Sequence, residues 1–391
     1  MIFILFKLIK RELIIFTKNK VMLAIFLGAP LFFGILLGFV YQDATVTKLP
    51  ISVLDLDNTP MSHSIIEALN DNETLEVVHI LNQEAETTHL LRDGISNAIV
   101  TLPKGLEGDV HQKRYPKIQV DVDAANILTA NYAARAIQLV LGTINAGIEI
   151  SGLNKQGIPY EIAKDRYESF NVNFTRFHNP AANYMAFLWP GVLAAILQQV
   201  YLLIMALSFS KEFEKNTFGQ LLGFSKNPFL IIVAKAVPYW IIGMFLWGFI
   251  IKIFFPYFMI PEVENTFSLF VLTSLFILSL TFLGTIVSLL IPSQLKTTEI
   301  LMLIASPSFI LSGFTWPLSQ MPGWLQNMAQ AIPLTPFLSG FRKIYFYDLT
   351  VMDLIPEFRI LGVIILVSAT ATFIVLYYKI KMQERVKVAA N

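Results

Sequence analysis

The residues with the most chemistry to offer lie in KEFEKNTFGQLLGFSKNP, Lys211 to Pro228. Here Glu212 and Glu214 alternate with Lys211 and Lys215 and run into Phe213, Phe218, Leu221 and Leu222. Charges of both signs beside an aromatic and aliphatic stripe suit recognition rather than bond-making: ion pairs set a register and apolar side chains anchor it. The stretch 186–210 before it carries no charged residue, and 229–255 after it is again largely apolar. The segment therefore belongs where a membrane meets water, as a docking surface for a soluble partner.

A second candidate is Asp55-Leu56-Asp57-Asn58. Carboxylates two apart can share a divalent cation, but Asp and Asn ahead of Thr59-Pro60 are also ordinary turn and helix-cap residues, and that reading is preferred. The histidines, at 63, 79, 89, 111 and 178, form no i,i+4 pair and no HExxH, and the absence of Cys excludes thiolate metal sites and disulfides. GxxxxGK[ST], DFG, HRD and GxSxG are also missing. The chain is thus read as no enzyme, with no metal and no cofactor of its own, and any vectorial work must draw on a partner or an ion gradient. Ion-coupled carriers place ionisable groups deep in their spans. Here Gln198 and Gln199 are uncharged, Lys235 and Lys252 sit toward window ends, and Glu299 opens a window.

The elements that must position these residues are membrane spans. The chain is 55% hydrophobic against 15% charged, and its net charge of +1 gives no sign of a nucleic-acid partner. Apolar windows near 21–41, 184–209, 230–255, 267–291, 299–315 and 357–378 approach the ~20 residues that cross a ~30 Å hydrocarbon core. Lys7, Lys10, Arg11, Lys18 and Lys20 precede the first window, Lys211, Lys215 and Lys226 follow the second, and Lys379, Lys381, Arg385 and Lys387 follow the last. Basic flanks stay inside, so both termini are predicted cytosolic. Residues 1–20, with Lys7, Arg11 and Lys18 on one face, are predicted to form an interfacial amphipathic helix.

Residues 42–183 read as an inserted extracytoplasmic α/β domain. KLPISVLDLD, LEVVHI, ISNAIVTL and KIQVDVD are strand-like, helices fall between them and over Ile127 to Ile150, and ESFNVNFTRF, 168–177, reads as a final strand. Residues 316–345 carry four prolines around two helical patches too short to span, which predicts an outer re-entrant hairpin. The fold class is an α-helical polytopic membrane protein of six transmembrane helices: 21–41, then five in 184–391.

Three features together resemble the ABC-2 type transporter permeases, in the branch with a large outer domain after the first span. They are KEFEKNTFGQLLGFSKNPFLIIVAKAVPYW, the series PSQLKTTEILMLIASPSFILSGFTWPLSQMPGWLQNMAQAIPLTPF, and the order of one span, outer domain and five spans. The resemblance implies a permease subunit of an ABC exporter in a bacterial inner membrane. It would move a drug, lipid or lipid-linked compound outward and would be energised by a separate ATPase that hydrolyses ATP. A second permease copy, identical or related, would complete the pathway, and a periplasmic adaptor is a further expected partner besides the lipid bilayer. It also implies a coupling helix at 211–222, with Lys211, Glu212, Phe213, Glu214, Thr217, Phe218, Gly219, Gln220, Leu221 and Leu222 engaging the ATPase. Ser312, Gly313, Phe314, Trp316 and Pro317 would lie at the outer gate, with Trp316 also suited to an interfacial aromatic belt. Gln198 and Gln199 would line the pathway or link helices. The competing reading is a membrane-anchored receptor or adaptor that binds through its outer domain without transport.

Overall fold

The computed structural model describes residues 2–167, 175 and 177–390. The chain forms two compact units, Met1–Ala44 with Arg176–Asn391, and Thr45–Thr175.

The first unit is helical. Its long helices are Lys20–Val40, Tyr184–Glu214, Pro228–Tyr257, Thr266–Leu290 and Ile355–Ala390, and Gln294–Leu311 packs with them. Ile2–Lys18 precedes them as an amphipathic helix. Its buried side is Leu8, Glu12 and Phe16, so an acid sits on the face where an apolar residue would be expected. Aromatic side chains fill the core: Trp189, Tyr201, Phe26, Phe255, Phe276, Phe337 and Phe341 are all buried. Helices approach closely where a side chain is missing, as expected where interhelical packing must supply the attraction that water cannot. At Gly34 a Cβ would come within 2.5 Å of the Phe254 ring, and the carbonyl of Gly34 accepts a hydrogen bond from Trp189 Nε1 at 3.2 Å. Internal polar links tie the helices together. Tyr201 Oη and Thr281 Oγ1 lie 3.0 Å apart, and Ser288 Oγ accepts from the backbone N–H groups of Phe209 and Ser210 while donating to the Ala206 carbonyl.

Among the described residues six helices are long and apolar enough to cross a membrane, and five of them coincide with windows read from the sequence. The other is Ile127–Lys155, whose Ala133, Ala136, Ile137 and Val140 share a core with the strands of the second unit. The expected span at 299–315 corresponds to Gln294–Leu311, which is not among the six. Lys296, Thr297, Thr298, Glu299, Ser306 and Ser308 dilute its apolar character. The proline-rich stretch contains the helices Gly323–Gln330 and Leu334–Tyr347.

The second unit holds a four-stranded sheet. β1 (Leu49–Asp55), β2 (Leu75–Leu81), β3 (Ala98–Leu102) and β4 (Gln119–Val122) are arranged β2-β1-β3-β4. β1 pairs in parallel with β2 and β3, and β4 runs antiparallel to β3, so the sheet is mixed. β1 is buried along most of its length, as a central parallel strand should be. The strand expected over 168–177 lies outside the described residues except for Thr175 and Phe177, which are in no strand.

Candidate functional site

The segment expected to be one helix over 211–222 is two pieces. Lys211 to Glu214 are the last turn of Tyr184–Glu214, and Phe218–Phe224 is a separate helix. Between them Asn216 takes φ +55°, the left-handed conformation that Asn tolerates and that commonly ends a helix. Thr217 N–H then returns to the Glu212 carbonyl at 2.8 Å, which fixes the turn.

Of the charges of this turn, Glu212 points into the chain. Glu212 is 4% exposed and accepts two hydrogen bonds from the Arg11 guanidinium, at 2.6 and 2.8 Å, with a third from the Thr217 hydroxyl. This is the bidentate fork geometry that makes arginine–carboxylate pairs strong and directional. Lys235, 3% exposed, donates to Glu12 at 2.8 Å and to the Ser208 carbonyl at 2.8 Å, and lies 3.6 Å from Glu212. Two cations and two carboxylates from three helices thus neutralise one another out of water. Sequence reasoning placed Lys235 near a span end and gave Glu12 no role. The signals were there, a lone acid in a basic segment and a lone lysine among apolar residues. Glu214 is exposed, and its carboxylate accepts from the backbone N–H of Gln294 at 2.9 Å, so it caps the Gln294–Leu311 helix from a distance.

Phe218, Leu221 and Leu222, expected to anchor a partner, are buried in a cluster with Leu8, Phe209, Leu230, Ile231, Leu289, Leu376 and Ile380. The apolar face of Phe218–Phe224 is satisfied by the chain itself. Phe213 is half-buried, with Lys379 Nζ 4.1 Å from its ring centre. The side left open carries Lys215, Asn216, Gln220, Gly223 and Phe224, with Lys211, Thr217 and Gly219 half-buried beside it.

A second cluster forms around the Ser312-Gly313-Phe314 turn. Gly313 has φ +78°, and a Cβ there would meet Leu318 at 2.5 Å, so glycine is required twice over. Phe314 is buried, stacks on Phe187 with ring centres 5.4 Å apart, and lies over Gly191, where any Cβ would overlap its ring. Arg342 packs its guanidinium 4.7 Å from the Phe314 ring centre and 5.7 Å from that of Phe187, and donates to the Phe314 carbonyl at 2.7 Å. Ser312, Gly313, Phe314, Pro317 and Arg342 line one cavity of about 320 Å3, while Trp316 is exposed. Arg342 escaped sequence reasoning, although it is one of two cations in an otherwise apolar helix. Gln198 and Gln199 are not part of this cluster. Gln198 is buried and donates to Ser308 Oγ at 2.6 Å, a helix link, and Gln199 is exposed beside Met302 Sδ at 3.5 Å.

The Asp55 and Asp57 carboxylates are engaged by the chain's own donors. Asp55 accepts from the backbone of Asp57 and Asn58 and from the Ser62 hydroxyl. Asp57 accepts from the N–H groups of Gly105, Leu106 and Glu107, at the start of the Leu106–His111 helix. Partial burial works against its charge, but those N–H groups and the Thr59 hydroxyl outweigh it and hold the Asp57 carboxyl below the usual range. This is cap chemistry, and the lone pairs a cation would need are taken.

Comparison with known proteins matches the same span of chain. A family model described as ABC-2 family transporter protein covers residues 20–374. The probable multidrug ABC transporter permease YbhR of Escherichia coli K12 is 24% identical over 303 residues, 78% of this chain and 79% of the relative. The inner membrane transport permease YhhJ of the same strain is 25% identical over 310 residues, 77% of this chain and 79% of that protein. ABC transporter G family member 20 of Dictyostelium discoideum is 24% identical over 345 residues, 86% of this chain but 45% of its own length. With the helical unit, its polar turn and a match over most of its length, the chain belongs to the ABC-2 family of transporter proteins, as the membrane subunit of an ABC transporter.

Proposed function

We propose that this chain is the permease half of an exporter in which a separate ATPase docks on the exposed side of the 215–224 turn and drives outward movement of a hydrophobic or amphipathic compound. The basic end, with both termini, faces the cytosol. The unit 45–175 and the proline-rich stretch 316–345 face outward, the latter as a re-entrant hairpin. Two permease copies, identical or related, enclose the pathway. The substrate class follows the word multidrug in the names of relatives such as YbhR.

The observation that carries this reading is the junction at Glu212. A turn that only marked a membrane surface would leave its charges in water, where exposed pairs contribute about 0–1 kcal/mol. Here its two carboxylates are committed, Glu212 to Arg11 and Lys235 and Glu214 to the backbone of Gln294, on three other helices. A push on the open face of Lys215, Gln220 and Phe224 is therefore transmitted to those helices together. Ser312, Gly313 and Phe314, braced by Arg342, form the outer gate of this scheme.

The test is co-purification of the tagged chain from native membranes, comparing wild type with Gln220→Arg/Phe224→Asp. Both positions are exposed, so the fold is expected to survive. A stoichiometric ATPase lost in the variant supports the docking face. No ATPase in either preparation would refute it and favour a receptor or adaptor.

A further inference from the structure

The Ile2–Lys18 helix, the start of Lys20–Val40 and the end of Tyr184–Glu214, with Gln220 and Phe224 of the next turn and Lys235 and Tyr239 of Pro228–Tyr257, line a cavity of about 930 Å3. Eight cationic side chains line it against two carboxylates, and both carboxylates are already engaged, Glu212 by Arg11 and Glu12 by Lys235. That leaves Lys7, Lys10, Lys18, Lys20, Lys211 and Lys215 around one space. Among the described residues none of the six lies within ion-pair distance of a carboxylate. A concave wall of one sign focuses its potential and concentrates anions within it. The rim is different: Ile14 and Val21 are exposed at the mouth, beside the first membrane-spanning helix. A free phosphate would satisfy the lysines and leave that rim in water. A lipid satisfies both.

We propose that this cavity binds the phosphate headgroup of an anionic phospholipid, with the headgroup among Lys10, Lys18 and Lys20 and the acyl chains leaving past Ile14 and Val21. The assignment rests on membrane placement and not on transport direction; Lys215, Gln220 and Phe224 of the proposed docking face also line this cavity, so the test keeps a separate outcome for the ATPase.

The experiment uses the full-length chain in mild detergent. Bound phosphatidylglycerol and phosphatidylcholine are counted by native mass spectrometry, with inorganic phosphate as a competitor. Juxtamembrane lysines contribute about 1 kcal/mol each toward an anionic surface, on the order of fivefold in affinity. Lys10→Gln/Lys18→Gln/Lys20→Gln should therefore weaken phosphatidylglycerol roughly 100-fold and leave phosphatidylcholine unchanged. Lys20→Gln alone should lose about fivefold, which keeps the test valid if the triple variant folds poorly. Lys226→Gln/Lys381→Gln/Arg385→Gln removes as much charge outside the cavity and should bind as wild type does. The proposal is overturned by an undiminished phosphatidylglycerol preference in the cavity variant or by an equal loss in the control. Inorganic phosphate that competes at the lipid's own concentration would give the cavity to a free anion instead. An ATPase that needs these lysines, with no lipid preference in the chain alone, would give it to a protein.

Discussion

Glu212→Gln keeps the shape of the side chain and removes its charge, so it isolates what that charge does. In the wild-type chain the carboxylate faces Arg11 in a two-pronged pair and Lys235 at 3.6 Å, with Glu12 as the second carboxylate of the cluster. Removing one member of a buried pair costs about 3–5 kcal/mol when the remaining charge is left uncompensated; here Glu12, 3.1 Å from Arg11 and 2.8 Å from Lys235, still supplies one counter-charge to the two cations. The Arg11 side chain is 17% exposed and regains some hydration, whereas Lys235 at 3% does not. The lower end, about 3 kcal/mol, is the expected loss. For a unit of this size each kcal/mol moves the melting temperature by roughly 2–4 °C, which gives a fall of about 6–12 °C.

All five Trp lie within the helical unit, so intrinsic fluorescence during heating reports on that unit. Arg11→Gln alone should cost a similar amount. The double variant should fall well short of the sum, because two neutral side chains of similar size leave no stranded charge between them. A fall of less than about 2 °C for Glu212→Gln, or a double variant that is additive within about 0.5 kcal/mol, would show that the pair is solvated in the membrane and would remove the argument for a locked junction.

Asp57→Asn should destabilise the Thr45–Thr175 unit by about 1–2 kcal/mol at neutral pH, as loss of a helix cap does. The folded carboxyl titrates below its ordinary value, so its contribution is full above the unfolded value and disappears as pH falls through the lowered folded value. An acid titration of stability should accordingly be flatter for Asp57→Asn than for wild type. Because the chain lacks Cys, Ser312→Cys can be labelled alone, and as Ser312 is buried it should react slowly. Adding Arg342→Gln removes a cation–π brace worth about 1–2 kcal/mol and should speed labelling roughly tenfold; an unchanged rate would show that Arg342 does not brace the Ser312-Gly313-Phe314 turn.

Much of the helical unit was legible because a span announces itself by apolar length, and the strands β1 to β3 coincide with β-branched runs bounded by turn residues. The direction in which amphipathic faces point was not. The pattern Phe218, Leu221, Leu222 is the same whether its apolar side meets another protein or Leu8 and Leu230 of the same chain, and only the tertiary fold decides. For the same reason Glu212 and Glu214 read alike, although Glu212 is buried against Arg11 and Glu214 is exposed and caps the Gln294–Leu311 helix. Ile127–Lys155 shows the converse ambiguity, since a helix against a sheet can be as apolar as one against lipid.

The Tyr184–Glu214 helix carries Glu212 and Glu214 near one end and Phe187 and Gly191 near the other, about 35 Å apart at 1.5 Å per residue. Buried residues run along most of it, so a load on the turn should tilt the rod rather than bend it. If the outer cluster is driven this way, two glycines placed midway should break the linkage without touching either end. Gln199 is exposed and Leu203 half-buried, one turn apart on the same face, and glycine at each costs about 1 kcal/mol relative to Ala. In the reconstituted complex, ATP should change the labelling rate of Ser312→Cys in the wild-type background and in Gln199→Ala/Leu203→Ala. It should not do so in Gln199→Gly/Leu203→Gly, although hydrolysis continues. A nucleotide response that survives the glycines would mean that the outer cluster is moved by another route, and the Gln294–Leu311 helix, capped by Glu214 at one end and leading into Ser312 at the other, would be the element to test next.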